Sequence, residues 1–120
     1  MFLNRIKLEH IPNKRKWVLT EELKYYSAQY QTITVPAGFT TDLASIPRLL
    51  WSVFPPDGPY LEAAVLHDYL YSKQPALDIS RKQADKVFLK AMRALGVPGW
   101  KRYSIYYGVR LGGKASWNKK

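Results

Sequence analysis

The chain contains no cysteine. That removes disulfides, a thiolate nucleophile and every zinc site that depends on sulfur, and it suits a reducing compartment. Long apolar runs are missing too. Nothing approaches the roughly 18 consecutive apolar residues of a membrane-spanning helix. The opening Met1-Phe2-Leu3-Asn4-Arg5-Ile6-Lys7 holds no apolar run of signal-peptide length. Acidic residues are scarce: 9 Asp and Glu stand against 19 Lys and Arg, a net charge of +10. There is no Walker phosphate loop, no Gly-x-Gly-x-x-Gly, no His-Glu-x-x-His and no RNA-binding signature.

What is present reads as a folded protein. The 120 residues are 47% apolar and 14% aromatic, a composition that supports one core rather than a disordered arm. The expected organisation is one α+β domain over residues 1–113, followed by a loose basic tail over 114–120. A positive field attracts polyanions, anionic lipid heads and phosphorylated small molecules. Solubility is the plainer reading of the same charge. The dense basic runs are Lys14-Arg15-Lys16 and the tail with Lys114, Lys119 and Lys120.

The first third predicts strands. Lys16 to Tyr26 and Gln29 to Val35 are rich in Trp, Val, Leu, Thr, Tyr and Ile, which suit a pleated surface. Ser27-Ala28 is the expected hairpin tip, and Phe2 to Leu8 a third strand. The remainder predicts helices. Ser45 caps a short first one ending before Pro55-Pro56. A second spans Tyr60 to about Tyr71. Ser80 caps a third, Arg81 to Leu95, with Gly96 as its stop. Pro98 opens a fourth, Gly99 to Leu111, ended by Gly112-Gly113. The expected architecture is a small N-terminal antiparallel sheet packed against three to four C-terminal helices.

Chemistry concentrates on the second and third helices. His67 and Tyr71 are four apart and share a face. Asp85 sits between apolar positions in Ala84-Asp85-Lys86-Val87-Phe88. If the two helices run antiparallel, Asp85 faces His67, fixes its tautomer and makes the other nitrogen a competent base. Tyr71 can donate to the same carboxylate. Asp68 is then left for a cation or a structural hydrogen bond. The plainer alternative is a satisfied polar pair in the core.

A second cluster spans Gly38 to Arg48. Asp42, Ser45 and Arg48 suggest a helix entry whose backbone N–H groups attract anions, with ordinary capping as the plainer alternative. Ser45 lacks the Gly-x-Ser-x-Gly setting of a nucleophile. Arg81, Arg110 and Tyr106 lie on the last two helices, where guanidinium and ring together suit phosphates. His10 stands alone.

Gly38-Phe39-Thr40-Thr41-Asp42-Leu43-Ala44-Ser45-Ile46-Pro47-Arg48, then His67-Asp68-Tyr69-Leu70-Tyr71, then Arg81 with Ala84-Asp85, Phe88 and Ala91-Met92, and Val109-Arg110 with Gly112-Gly113, resemble the phage and prophage family called domain of unknown function 1353. That resemblance implies a phage setting, in the host bacterial cytoplasm or carried with the particle, and no particular activity. His67-Asp68-x-x-Tyr71 followed by Asp85 also resembles the catalytic helices of phospholipase A2, above all its cysteine-free form in parvovirus capsids. This second resemblance implies that His67 is the general base, Asp68 a calcium ligand, Asp85 the orienting carboxylate and Tyr71 its hydrogen-bond partner. That family's glycine-rich calcium loop has no counterpart here. Thr41-Asp42-Leu43-Ala44-Ser45 stands in its place, where Asp42 would supply the ligand.

Three functions follow as expectations. The first is a hydrolase acting through His67 and Asp85 on a phospholipid ester or nucleotide phosphodiester. The second is a binder, in some form a homo-oligomer, that sequesters a nucleotide signal of host antiviral defence. The third is a structural or assembly protein of the particle. The expected partner is thus an anionic small molecule or lipid. No motif directs specific nucleic-acid binding.

Overall fold

The computed structural model describes residues 1–14, 16–41, 61–72 and 78–117. In chain order these form β1 (Leu8–His10), β2 (Trp17–Leu19), β3 (Leu23–Ser27), β4 (Gln31–Val35), β5 (Thr40–Thr41), α1 (Leu61–Tyr71), α2 (Arg81–Ala94) and α3 (Gly99–Gly112), with a 3-10 turn over Gly113–Ser116. Strands precede helices, so the fold is α+β. The short helix expected after Ser45 lies outside the described residues.

The strands make two antiparallel sheets rather than one. β1, β2 and β5 form the first in that spatial order, and β3 and β4 form the second. The expected strand from Lys16 to Tyr26 is therefore broken, at Thr20-Glu21-Glu22. A continuous strand would put Leu19, Glu21, Leu23 and Tyr25 on one face. Leu19, Leu23 and Tyr25 are buried, so Glu21 would be buried with them. The chain turns outward instead, and Glu21 meets Lys7 at the surface, 3.4 Å away.

The β3–β4 hairpin alternates cleanly. Leu23 pairs with Val35 and Tyr25 with Ile33, and all four are buried. Its tip is residues 28–30, one step beyond the expected Ser27-Ala28. Ser27 still pairs with Gln31, and its Oγ accepts from the backbone N–H groups of Gln29 and Tyr30. The expected strand over Phe2 to Leu8 reduces to a single bridge, Phe2 to Tyr25. The nearby strand β1 starts only at Leu8 and joins β2.

The helix ends follow their signals. Ser80 Oγ accepts from the Gln83 backbone N–H while the Gln83 side chain accepts from the Ser80 N–H, a reciprocal cap. At the other end of α2, Gly96 adopts φ 81°. Its N–H reaches Arg93 O and that of Val97 reaches Met92 O. This left-handed stop suits glycine, and the buried Val97 closes it apolarly. α2 buries Ala84, Asp85, Val87, Phe88, Ala91 and Met92, one stripe at helical spacing. α1 is different. It buries Ala63 through Asp68, then Leu70 and Tyr71, so it is surrounded by the rest of the protein. α3 runs through Gly112, and Trp117 beyond it packs edge-on against Tyr71, with ring centroids 5.2 Å apart. Trp117 is thereby packed against the core.

Candidate functional site

α1 and α2 pack together, as do α2 and α3. One carboxylate sits at that junction. Asp85, on the buried stripe of α2, takes His67 Nε2 at 2.6 Å and the Tyr71 hydroxyl at 2.5 Å on the same oxygen, Oδ1. Arg110 of α3 donates to Oδ2 at 2.7 Å. Arg81, one turn before Asp85, approaches Oδ2 at 3.7 Å. The one carboxylate thus ties three helices together.

The His67 ring is wedged between aromatics. It stacks on Phe88 at 4.4 Å and 27° and lies 4.2 Å from the Tyr71 ring. His67 is 2% exposed and Asp85 0%. A buried charge of this kind persists only when it is paired and hydrogen-bonded. Burial alone would raise the Asp85 carboxyl pKa. Hydrogen bonds from His67, Tyr71 and Arg110 outweigh it and hold the group below its ordinary range. Asp85 is therefore an anion at neutral pH. Burial, then the bond to Asp85, pushes the Tyr71 phenol well above its ordinary value, so Tyr71 stays a donor. Its bond to Asp85 likewise keeps the Arg110 guanidinium charged.

Nε2 of His67 faces Asp85, which leaves Nδ1 as the second ring nitrogen. Among the described residues, the partly exposed partners of Asp85 are guanidiniums. The side chains of Arg81 and Arg110 are 21% and 28% exposed. Two cations share one carboxylate there, which leaves positive charge toward an approaching anion.

Arg81 does more than face Asp85. Its guanidinium donates to Val109 O and Arg110 O, each at 3.3 Å. It also reaches the Tyr71 hydroxyl at 3.4 Å. The carbonyls at the C-terminal end of α3 are thereby satisfied by a cation, as the helix dipole favours. Gly113 closes the same corner. A Cβ there would stand 2.8 Å from the Tyr71 hydroxyl oxygen, so no larger residue fits without movement.

His67, Asp85, Tyr71, Arg81 and Arg110, each singled out from the sequence, come together in this cluster. Tyr106 is half-buried on α3, one turn before Arg110. Asp68 is buried on α1. Among the described residues no group of three or more His, Cys, Asp or Glu side chains gathers to hold a metal. Asp42, Ser45 and Arg48 lie outside the described residues. Sequence reasoning read Gly113 only as a helix stop and missed Trp117. Their only signals were a second glycine after a helix end and a tryptophan in a basic tail.

The sequence profile of DUF1353, described as a protein of unknown function, matches residues 17–109. The chain belongs to the DUF1353 family. The match takes in β2 through most of α3, and so every described member of the Asp85 cluster except Arg110. Among curated proteins the chain is similar to "Uncharacterized protein y4jT" of Sinorhizobium fredii (strain NBRC 101917 / NGR234). The two are 43% identical over 79 residues, 62% of this chain and 22% of that protein. This DUF1353 chain therefore spans less than a quarter of that relative's length. No solved structure matches it.

Proposed function

We propose that this DUF1353 chain is a phage-encoded hydrolase that acts on an anionic, phosphate-bearing substrate, a phospholipid ester or a nucleotide phosphodiester. The observation that carries the reading is the buried contact of His67 Nε2 with ionised Asp85, flanked by two partly exposed guanidiniums. In this reading His67 is the base that takes a proton from water, and the water oxygen bonds to the ester carbon or phosphorus. The leaving oxygen departs with that proton, returned by the imidazolium. Asp85 holds the ring's tautomer and stabilises the transient cation, a role that needs it to stay ionised. Arg81 and Arg110 attract the phosphate. No step is assigned to calcium. The resemblance of Gly38 to Arg48 and of His67 to Tyr71 to phage proteins supports a phage setting, in the host cytoplasm or with the particle. The His67-Asp68-x-x-Tyr71 resemblance to phospholipase A2 supports the ester arm.

The depth of the pair favours a second reading. At 2% and 0% exposure, His67 and Asp85 also suit a polar staple in a structural or assembly protein of the particle.

Mass-spectrometric turnover assays on the native chain and His67→Asn separate these. The panel is phospholipid vesicles and cyclic or ADP-ribose-type nucleotides, each with calcium and with chelator. Product from the native chain alone, with both proteins folded, supports the hydrolase. No product, together with a large loss of stability in His67→Asn, supports the staple. A nucleotide bound and released intact on denaturation would replace both with the sequestering role.

A further inference from the structure

The outer face of α3 is a ridge of exposed rings. Trp100, Tyr103, Tyr107 and Leu111 recur at spacings of three and four. At about 100° per residue they fall within roughly a quarter of the helix circumference, opposite the buried Ile105 and Val109. Tyr107 is 60% exposed and Leu111 88%. The rings are ordered against one another, Tyr103 to Tyr107 at 6.4 Å and Tyr106 to Tyr107 at 5.3 Å. Four large apolar side chains in line on a surface mark an interaction site.

The charges beside the ridge identify the partner. α3 contains Lys101, Arg102 and Arg110 and no acid, and the exposed Lys114 follows in the next turn. Lys101 lies over the Trp100 ring and Arg102 over the Tyr103 ring, each at 5.5 Å. Asp85 is the last carboxylate side chain in the sequence. Lys101 and Arg102 occupy the first turn of α3, and Arg102 also donates to Val97 O at 3.1 Å.

We infer that this face docks on an anionic lipid bilayer. Trp and Tyr settle at the headgroup level, with an apolar body and a polar tip. Leu111, the most exposed of the large apolar residues, reaches toward the acyl boundary, and Lys and Arg meet anionic headgroups. A second copy of the chain would bring two acid-free basic ridges together, against their charge. A nucleic acid would reward the rings and cations but offers nothing for Leu111. The inference does not depend on turnover at His67.

The test is cosedimentation of the full chain with phosphatidylglycerol/phosphatidylcholine vesicles and with pure phosphatidylcholine vesicles. Partition to the anionic vesicles should exceed that to neutral ones by at least about tenfold and fall with salt. Two double variants, Tyr107→Ser with Leu111→Ser, and Lys101→Gln with Lys114→Gln, should each lower it by about tenfold, the first through apolar contact and the second through charge. Thermal unfolding confirms that both remain folded. Equal partition to both vesicle types overturns the inference, as does unchanged partition of the Tyr107/Leu111 variant. Loss of self-association in that variant, with no vesicle binding by the native chain, would assign the ridge to a second copy. Loss of single-stranded DNA binding instead would assign it to nucleic acid.

Discussion

Gly113 lies so close to Tyr71 that a Cβ would stand 2.8 Å from the phenol oxygen and 3.2 Å from a ring carbon. The neighbouring Gly112 has nothing within 4 Å of the same position. Two adjacent glycines at one helix end thus do different jobs.

Gly113→Ala should destabilise the protein by about 1–3 kcal/mol, because Tyr71 must move and its bond to Asp85 moves with it. Gly112→Ala should be neutral or stabilising by up to about 1 kcal/mol, since alanine only limits the unfolded chain there. Urea unfolding of the two variants side by side checks the contrast.

Asp85→Asn should cost about 3–5 kcal/mol, the range for breaking a buried ion pair from one side. The variant keeps the shape but leaves Arg110 without its counter-charge. Urea unfolding of native chain and variant measures the loss, and a cost under about 1 kcal/mol would mean the carboxylate is poorly coupled to its donors.

The same carboxylate sets an acid limit. Its folded pKa lies below the ordinary 3.8, so it adds stability above that value, and the contribution is lost as pH falls through the folded pKa. Native chain and Asp85→Asn should therefore converge in stability below pH 3.8, the ordinary carboxyl value, when melted across a pH series. Tyr71 sets the opposite limit. Its pKa is raised above 10.0, so stability should fall as pH climbs past that value, and Tyr71→Phe should flatten that part of the fall.

Arg81→Lys should loosen the end of α3. A lysine keeps the charge but lacks the planar fork that reaches both Val109 O and Arg110 O. Hydrogen exchange should show faster opening in the last turn of α3 and little change in the β3–β4 hairpin.

Much of this arrangement was legible in the sequence. Ser80, Gly96 and Pro98 mark helix ends through chemistry local to a few residues. His67, Tyr71 and Asp85 were readable because polar side chains at helical spacing among apolar ones must find each other. The break at Thr20-Glu21-Glu22 was hidden by a run of strand-forming residues. Only the burial of both Leu19 and Leu23 shows why Glu21 forces a corner. The second carbonyl partners of Arg81 and the tight approach at Gly113 are tertiary facts, and no spacing announces them. Asp42, Ser45 and Arg48 lie outside the described residues.

α1 has consequences for the uniqueness of the fold. A helix buried nearly all round has no solvent face to tell it which way to turn, and apolar contacts alone would accept several rotations about its axis. His67 and Tyr71 can reach Asp85 together in only one of them. A core that keeps its volume but replaces His67, Tyr71 and Asp85 with apolar residues should stay compact yet lose a single side-chain arrangement, with broadened aromatic NMR signals. In this chain the buried charge selects one packing among many rather than merely adding to its strength.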